Sequence, residues 1–195
     1  MKRMVFLFIP ALLLFNTMNG NGISALFTYC VFTTPDHKPY VETYISVLGN
    51  SAVFKKTGNG KRQASIEVGL LFTQGETIKG FKKYILLSPE VGDSLIPPNF
   101  IDEQRISLDA GDYELELSLV DKNTEGAKPI VKKEMIHVPY QKIEPRISDI
   151  EFIESYKPSA ANGPLSKNGY DLIPYIASLY PQNMSKLAFY AEVYE

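Results

Sequence analysis

The sequence predicts an all-β protein built on an immunoglobulin/fibronectin-like antiparallel β-sandwich, and three observations carry that prediction. Apolar residues recur with a period of two rather than 3.6 along most of the chain, as half-buried strands require. Glycine-, proline- and asparagine-rich turns separate the alternating runs at short intervals. Finally, Leu108-Asp109-Ala110-Gly111-Asp112-Tyr113 reads L-x-x-G-x-Y at the entrance to an alternating run. In sandwiches of this class a tyrosine so placed ties the inter-sheet corner to nearby backbone, and a glycine admits a conformation that side chains resist. Gly111 and Tyr113 are therefore expected to be structural.

The first strand is expected over 26–34. In the second, Val41, Thr43, Ile45 and Val47 alternate with Tyr40, Glu42, Tyr44 and Ser46. A short strand over 52–56 leads to Thr57-Gly58-Asn59-Gly60, which reads as a hairpin turn and lacks the spacing of a phosphate-binding loop. Ile66, Val68, Leu70 and Phe72 then form one row opposite Glu67, Gly69, Leu71 and Thr73. Strands over 77–87 and 101–108 follow. Tyr113, Leu115, Leu117 and Leu119 alternate with Glu114, Glu116, Ser118 and Val120, and a last strand over 130–138 runs into Val138-Pro139. The first domain thus covers 26–139, an ordinary size for a sandwich of seven strands.

Composition narrows the function classes. The 195 residues are 45% hydrophobic and 22% charged with a net charge of −2, which excludes a disordered tail, a collagen-like repeat and a basic nucleic-acid binder. One cysteine and two histidines, His37 and His137, leave little for metal or histidine-based catalysis. No catalytic residue, metal ligand or cofactor is assigned. Asp102, Glu103, Asp109, Asp112 and Asp121 cluster around one hairpin without the spacing of a calcium loop, and read as ordinary turn and surface acids. Asn183-Met184-Ser185 matches a glycosylation sequon, a short pattern that arises readily by chance.

The N-terminus reads as an export signal over 1–25. Lys2 and Arg3 precede the apolar run 5–15 (VFLFIPALLLF), and small and polar residues follow. The run falls short of the roughly 20 residues that span a bilayer as a helix. Cleavage after Ala25 is the favoured site, with Gly20 and Gly22 as alternatives. Removing Lys2 and Arg3 leaves 18 basic against 22 acidic residues, a net charge of −4, without evident attraction to nucleic acid or anionic membranes. The mature chain is then exported, whether periplasmic, outer-membrane-associated or secreted, and has no transmembrane segment. Cys30 follows Phe27, Thr28 and Tyr29 rather than the small residues of a lipoprotein junction, so it reads as a lone buried thiol of the first strand.

Residues 140–195 are expected to be a linker and a partial second sandwich-like domain. Seven of the twelve tyrosines lie there, which a solvated tail would not carry. Residues 186–195 read as one strand, with Leu187, Phe189, Ala191 and Val193 on one face and Tyr190, Glu192 and Tyr194 on the other. Tyr40-Val41-Glu42-Thr43-Tyr44 and Tyr190-Ala191-Glu192-Val193-Tyr194 are both Y-x-E-x-Y, which suggests an internal repeat and a chain that is the front part of a longer protein.

These two motifs supply the candidate binding residues Tyr40, Glu42, Tyr44, Tyr190, Glu192 and Tyr194. On a straight strand each pair of tyrosines stands about 13 Å apart on one face. Such a face suits docking of a protein or a glycan, with rings to stack on and a carboxylate to accept hydrogen bonds. The competing reading is structural, the face packing against a neighbouring domain or loop.

A resemblance adds to this. Pro39-Tyr40-Val41-Glu42-Thr43-Tyr44, Gln63-Ala64-Ser65-Ile66-Glu67-Val68, Ser88-Pro89-Glu90-Val91, Asn99-Phe100-Ile101-Asp102 and Gly169-Tyr170-Asp171-Leu172-Ile173-Pro174-Tyr175 resemble the N-terminal β-rich region of exported bacterial proteins of the GWxTD-domain family. Members are considerably longer, and the motif naming the family lies toward their C-terminus. This chain has no tryptophan, so that motif is absent. The resemblance implies export and a longer parent protein, and offers no catalytic residues to map.

The expected function is a non-enzymatic exported structural or protein-interaction module of the Gram-negative cell envelope, with a protein partner. The alternatives are a glycan-binding module using exposed tyrosines, and the non-catalytic front of an enzyme whose catalytic domain is missing.

Overall fold

A computed structural model describes residues 22–93, 95–139, 146–161, 163–177, 179–182 and 184–194. Among these described residues fifteen strands follow in chain order. They are β1 (Ala25–Thr33), β2 (Pro39–Val47), β3 (Lys55–Lys56), β4 (Arg62–Gln63), β5 (Ser65–Gln74), β6 (Thr77–Leu87), β7 (Phe100–Ser107), β8 (Gly111–Asp121) and β9 (Ile130–Val138). The rest are β10 (Arg146–Ile147), β11 (Glu151–Pro158), β12 (Ser166–Lys167), β13 (Tyr170–Pro174), β14 (Ala188–Tyr190) and β15 (Val193–Tyr194). No α-helix occurs among the described residues, and no helix there is long and apolar enough to cross a membrane.

Two antiparallel sheets, β1-β2-β7 and β6-β5-β8-β9, form the sandwich. The alternating rows read from sequence meet inside it. Val41, Ile45 and Val47 of β2 pack with Ile66, Val68, Leu70 and Phe72 of β5, and with Leu115, Leu117 and Leu119 of β8. The corner device is in place: the Tyr113 hydroxyl donates to the Asp109 carbonyl at 2.7 Å, and Gly111 has a φ of 153°. The turn after β3 has Gly60 at φ 80° and closes the short β3–β4 hairpin. β6 forms one edge of its sheet, and Lys79, Lys82 and Lys83 along it discourage edge-to-edge pairing.

The folded chain starts earlier than residue 26. Ile23 and Ala25 are buried, the Ser24 amide donates to the Ser51 hydroxyl at 2.9 Å, and the Leu48 amide donates to the Ser24 carbonyl. Cleavage after Ala25 would remove these contacts, so Gly20 and Gly22 are the sites that suit the fold. The rest of the expected signal segment lies outside the described residues, as do the linker over 140–145 and Asn183 of the sequon.

The C-terminal segment forms a four-stranded antiparallel sheet, β12-β13-β11-β14, with β10 and β15 paired beside it. The single strand expected over 186–195 is broken. β14 pairs with β11 and β15 with β10, and Ala191 and Glu192 make the step between them. The expected apolar face is also reversed: Leu187, Phe189 and Val193 are exposed, while Tyr190, Glu192 and Tyr194 turn inward and are half-buried. Tyrosine and glutamate win the inward face because their polar atoms find partners there.

Candidate functional site

The site lies where the C-terminal sheet covers the outer face of β1-β2-β7. Directly paired residues of antiparallel strands share a face. The pairings Cys30↔Glu42, Phe32↔Tyr40, Glu42↔Arg105 and Tyr44↔Glu103 therefore put these seven side chains on one surface. β2 is consequently buried on both sides: Val41 and Ile45 face the main core, while Glu42 and Tyr44, both 0% exposed, face the C-terminal sheet. The exposed-platform reading does not describe Glu42 and Tyr44, which form the floor of an internal seam.

Lys167 reaches into this seam from the C-terminal side. The Asn168-Gly169 turn, with φ of 47° and 83°, joins β12 to β13 with the left-handed pair that a two-residue hairpin needs. Lys167 immediately precedes it. Its ammonium group donates to Glu151 Oε2 at 2.5 Å and to the Tyr44 hydroxyl at 3.0 Å, and pairs with Glu42 Oε1. The same group stands 4.4 Å from the Phe32 ring centroid, 5.2 Å from that of Tyr190 and 5.5 Å from that of Tyr44. Ions this far from water persist only when paired, and here each has partners.

Glu42 is held from three sides. Tyr44 Oη donates to Oε1 at 2.6 Å, Lys167 pairs with the same oxygen, and Arg105 Nε donates to Oε2 at 2.8 Å. Arg105 Nη2 also donates to Glu103 at 2.9 Å. Burial, followed by the Glu42 carboxylate, pushes the Glu103 carboxyl up to about 8. Glu151 is raised too, chiefly by burial, and among the described residues its Oε1 has no hydrogen-bond partner. Burial and the neighbouring Glu42 raise the Tyr44 hydroxyl far above its ordinary value, so it stays protonated. Cys30 is buried at this seam, its thiol facing the Ile150 carbonyl and raised mainly by burial.

The second Y-x-E-x-Y is built differently from the first. The step at Ala191–Glu192 bends the chain so that Tyr190 and Tyr194 both donate to Glu192, at 2.6 and 2.8 Å. The tyrosines thus converge on one carboxylate instead of standing apart along a strand. Tyr190 also accepts from Asn168 at 2.7 Å, and the Thr33 amide donates to Tyr194 at 2.9 Å. That last bond, with the Val31 amide donating to Asp149 at 2.8 Å, satisfies the outer edge of β1.

At its open end the seam widens into a cleft of about 830 Å³, lined among others by His37, Tyr40, Arg105, Asn168, Glu192 and Tyr194. Tyr40 is half-buried against Phe32, with ring centroids 5.9 Å apart. Of the six sequence candidates, Tyr40, Glu192 and Tyr194 meet at the cleft, whereas Glu42 and Tyr44 lie inside the seam and Tyr190 packs on Phe32. Lys167, Glu151 and Arg105 escaped sequence reading. The Asn168-Gly169 hairpin signal was the one local clue, since it fixes the orientation of the residue before it.

The hairpin acids do not converge. Asp102 accepts from Tyr84 and Gln104, Glu103 from Arg105, Asp112 pairs with His137, and Asp121 accepts from the Val53 and Asn123 amides. Among the described residues no group of three or more histidine, cysteine or acidic side chains is arranged to hold a metal ion.

No family model, curated protein or solved structure matches this chain. The likeness to GWxTD-domain proteins therefore rests on the quoted residues alone, and the architecture stands as a β-sandwich with a docked C-terminal sheet.

Proposed function

We propose that the protein is a non-enzymatic, exported interaction module of the bacterial cell envelope that binds a segment of a partner protein in the seam cleft. One observation carries this reading. The cleft gathers Tyr40 from the first Y-x-E-x-Y, Glu192 and Tyr194 from the second, and the 45%-exposed Arg105 side chain, on a floor fixed by buried ion pairs. Aromatic rings and an arginine around a preorganised concave surface are the residue types that dominate protein contacts. Lys167, the amine nearest to paired carboxylates, is 8% exposed and offers a diffusing substrate no access.

A second reading keeps the glycan alternative but moves it. Tyr156 and Tyr170, 64% and 46% exposed on β11 and β13, are the open rings, and they meet edge to face at 6.1 Å. Selection of displayed peptides and a glycan array, both run on the purified chain, separate the two. Peptide ligands that lose about tenfold or more in affinity with Tyr40→Ala support the cleft reading. Glycan binding lost with Tyr156→Ala and kept with Tyr40→Ala replaces it.

A further inference from the structure

Beneath the cleft the seam holds an amine, two carboxyl groups and an aromatic enclosure. Lys167 Nζ touches Glu151 Oε2 at 2.5 Å and also meets Glu42, and the relative exposures are 8% for Lys167, 2% for Glu151 and 0% for Glu42. Phe32, Tyr44 and Tyr190 close around the amine. The two carboxyl groups are not equivalent. Glu42 has both oxygens occupied, one by the Tyr44 hydroxyl and the other by the Arg105 guanidinium. Among the described residues no arginine pairs with Glu151, and its Oε1 has no hydrogen-bond partner there.

We propose that Lys167 and Glu151 condense into an intramolecular amide with Glu42 as the proton relay, a covalent staple that the fold makes for itself. The Lys167 ammonium first passes a proton to Glu151 Oε2, which a site poor in water favours because it exchanges two ions for a neutral amine and acid. The amine lone pair then forms the bond from Nζ to Cδ of Glu151. Glu42 takes a proton from the attacking nitrogen and delivers it to the departing hydroxyl. The C–O bond breaks with its electron pair on oxygen, one water leaves, and Glu42 ends as the carboxylate it began as. No oxidant, reductant or cofactor enters. Holding the reacting atoms in contact supplies the effective concentration that free amine and acid lack. The product removes one buried cation and one buried anion, whose desolvation is costly, and leaves the Glu42–Arg105 pair intact.

The bond joins the first residue of β11 to the last of β12 across the intervening β13. Sixteen residues separate its ends, and the loop so closed stiffens the sheet that covers β1-β2-β7. The proposal does not depend on what the cleft binds.

Tryptic mapping of the purified full chain tests it. Trypsin cuts after Arg146 and spares Lys157, which precedes Pro158. Unlinked protein therefore gives separate peptides 147–167 and 168–186. The linked protein gives one peptide, 147–186, uncut at Lys167 and lighter than its sequence by the mass of one water. Glu42→Gln is expected to restore cleavage at Lys167 while circular dichroism retains the strand signal. Glu151→Ala is expected to leave Lys167 free and cleavable, because it removes both the proton acceptor and the carboxyl carbon that the amine attacks. Free, cleavable Lys167 in the folded wild-type chain overturns the proposal. A link from Lys167 to Glu42 overturns the assigned roles.

Discussion

Tyr44 and Lys167 stand 123 residues apart in the chain, and the Lys167 ammonium donates to the Tyr44 hydroxyl at 3.0 Å inside the protein. That contact joins the sandwich to the C-terminal sheet at the point where both would otherwise bury unpaired polar groups. The two parts meet at this polar lock, with Phe32, Tyr40, Ile176 and Tyr190 packed around it.

Removing the amine should open the lock. Lys167→Ala leaves Glu42 to Arg105 alone and strips the buried Glu151 of its cation, a change expected to cost about 3–5 kcal/mol. Urea unfolding measures the loss. Hydrogen exchange localises it, because the Val31 and Thr33 amides, bound to Asp149 and Tyr194, should lose protection before the β5 and β8 amides do.

Stability should fall as pH rises from about 4.5 to about 8. Glu103 has an ordinary value of 4.5 and is raised to about 8 in the fold, so over that interval the native state binds more protons than the unfolded chain. Its contribution is complete below 4.5 and gone above 8. Unfolding midpoints at about pH 5 and about pH 9 check the sign. Glu103→Gln, which can still accept from Arg105, should flatten part of the decline.

The corner tyrosine should be worth one hydrogen bond. Tyr113→Phe removes the bond to the Asp109 carbonyl and keeps the ring, so about 0.5–1.5 kcal/mol is expected from a shift in the urea midpoint at unchanged slope.

Gly49 should tolerate no side chain. A Cβ there would collide with the carbonyl oxygens of Pro97 and Pro98, backbone atoms that cannot step aside by rotation. Gly49→Ala is expected to cost about 1–3 kcal/mol, whereas Gly58→Ala, with open space around it, should leave the melting temperature nearly unchanged.

Under the proposed export, cleavage should leave a chain that begins at Asn21 or Ile23. Starting at Leu26 would discard the buried Ile23, a loss of about 1.5–3 kcal/mol, and the hydrogen bonds of Ser24. The intact mass of the mature protein recovered from cells decides among the cleavage sites.

The sequence by itself determined the sandwich. Period-two alternation, glycine-marked turns and the L-x-x-G-x-Y corner are local signals, and a strand whose one face is apolar has a single face to bury. The strands expected over 66–73, 77–87, 113–120 and 130–138 accordingly appear as β5, β6, β8 and β9 within one or two residues at most ends. Only the tertiary structure decided the site. Glu42 and Tyr44 alternate with apolar residues and read either as a docking face or as a face packed on a neighbouring domain or loop, because nothing local announces which element will cover them. In the last strand, alternation placed Leu187, Phe189 and Val193 inside, and the fold turned them out. The physical reason is the same in both places. Hydrophobic burial is read from the pattern of one segment, whereas a buried polar group is stable only beside its partner. Glu42 finds Arg105 and Lys167, and Tyr194 finds Thr33, at separations that no local pattern records.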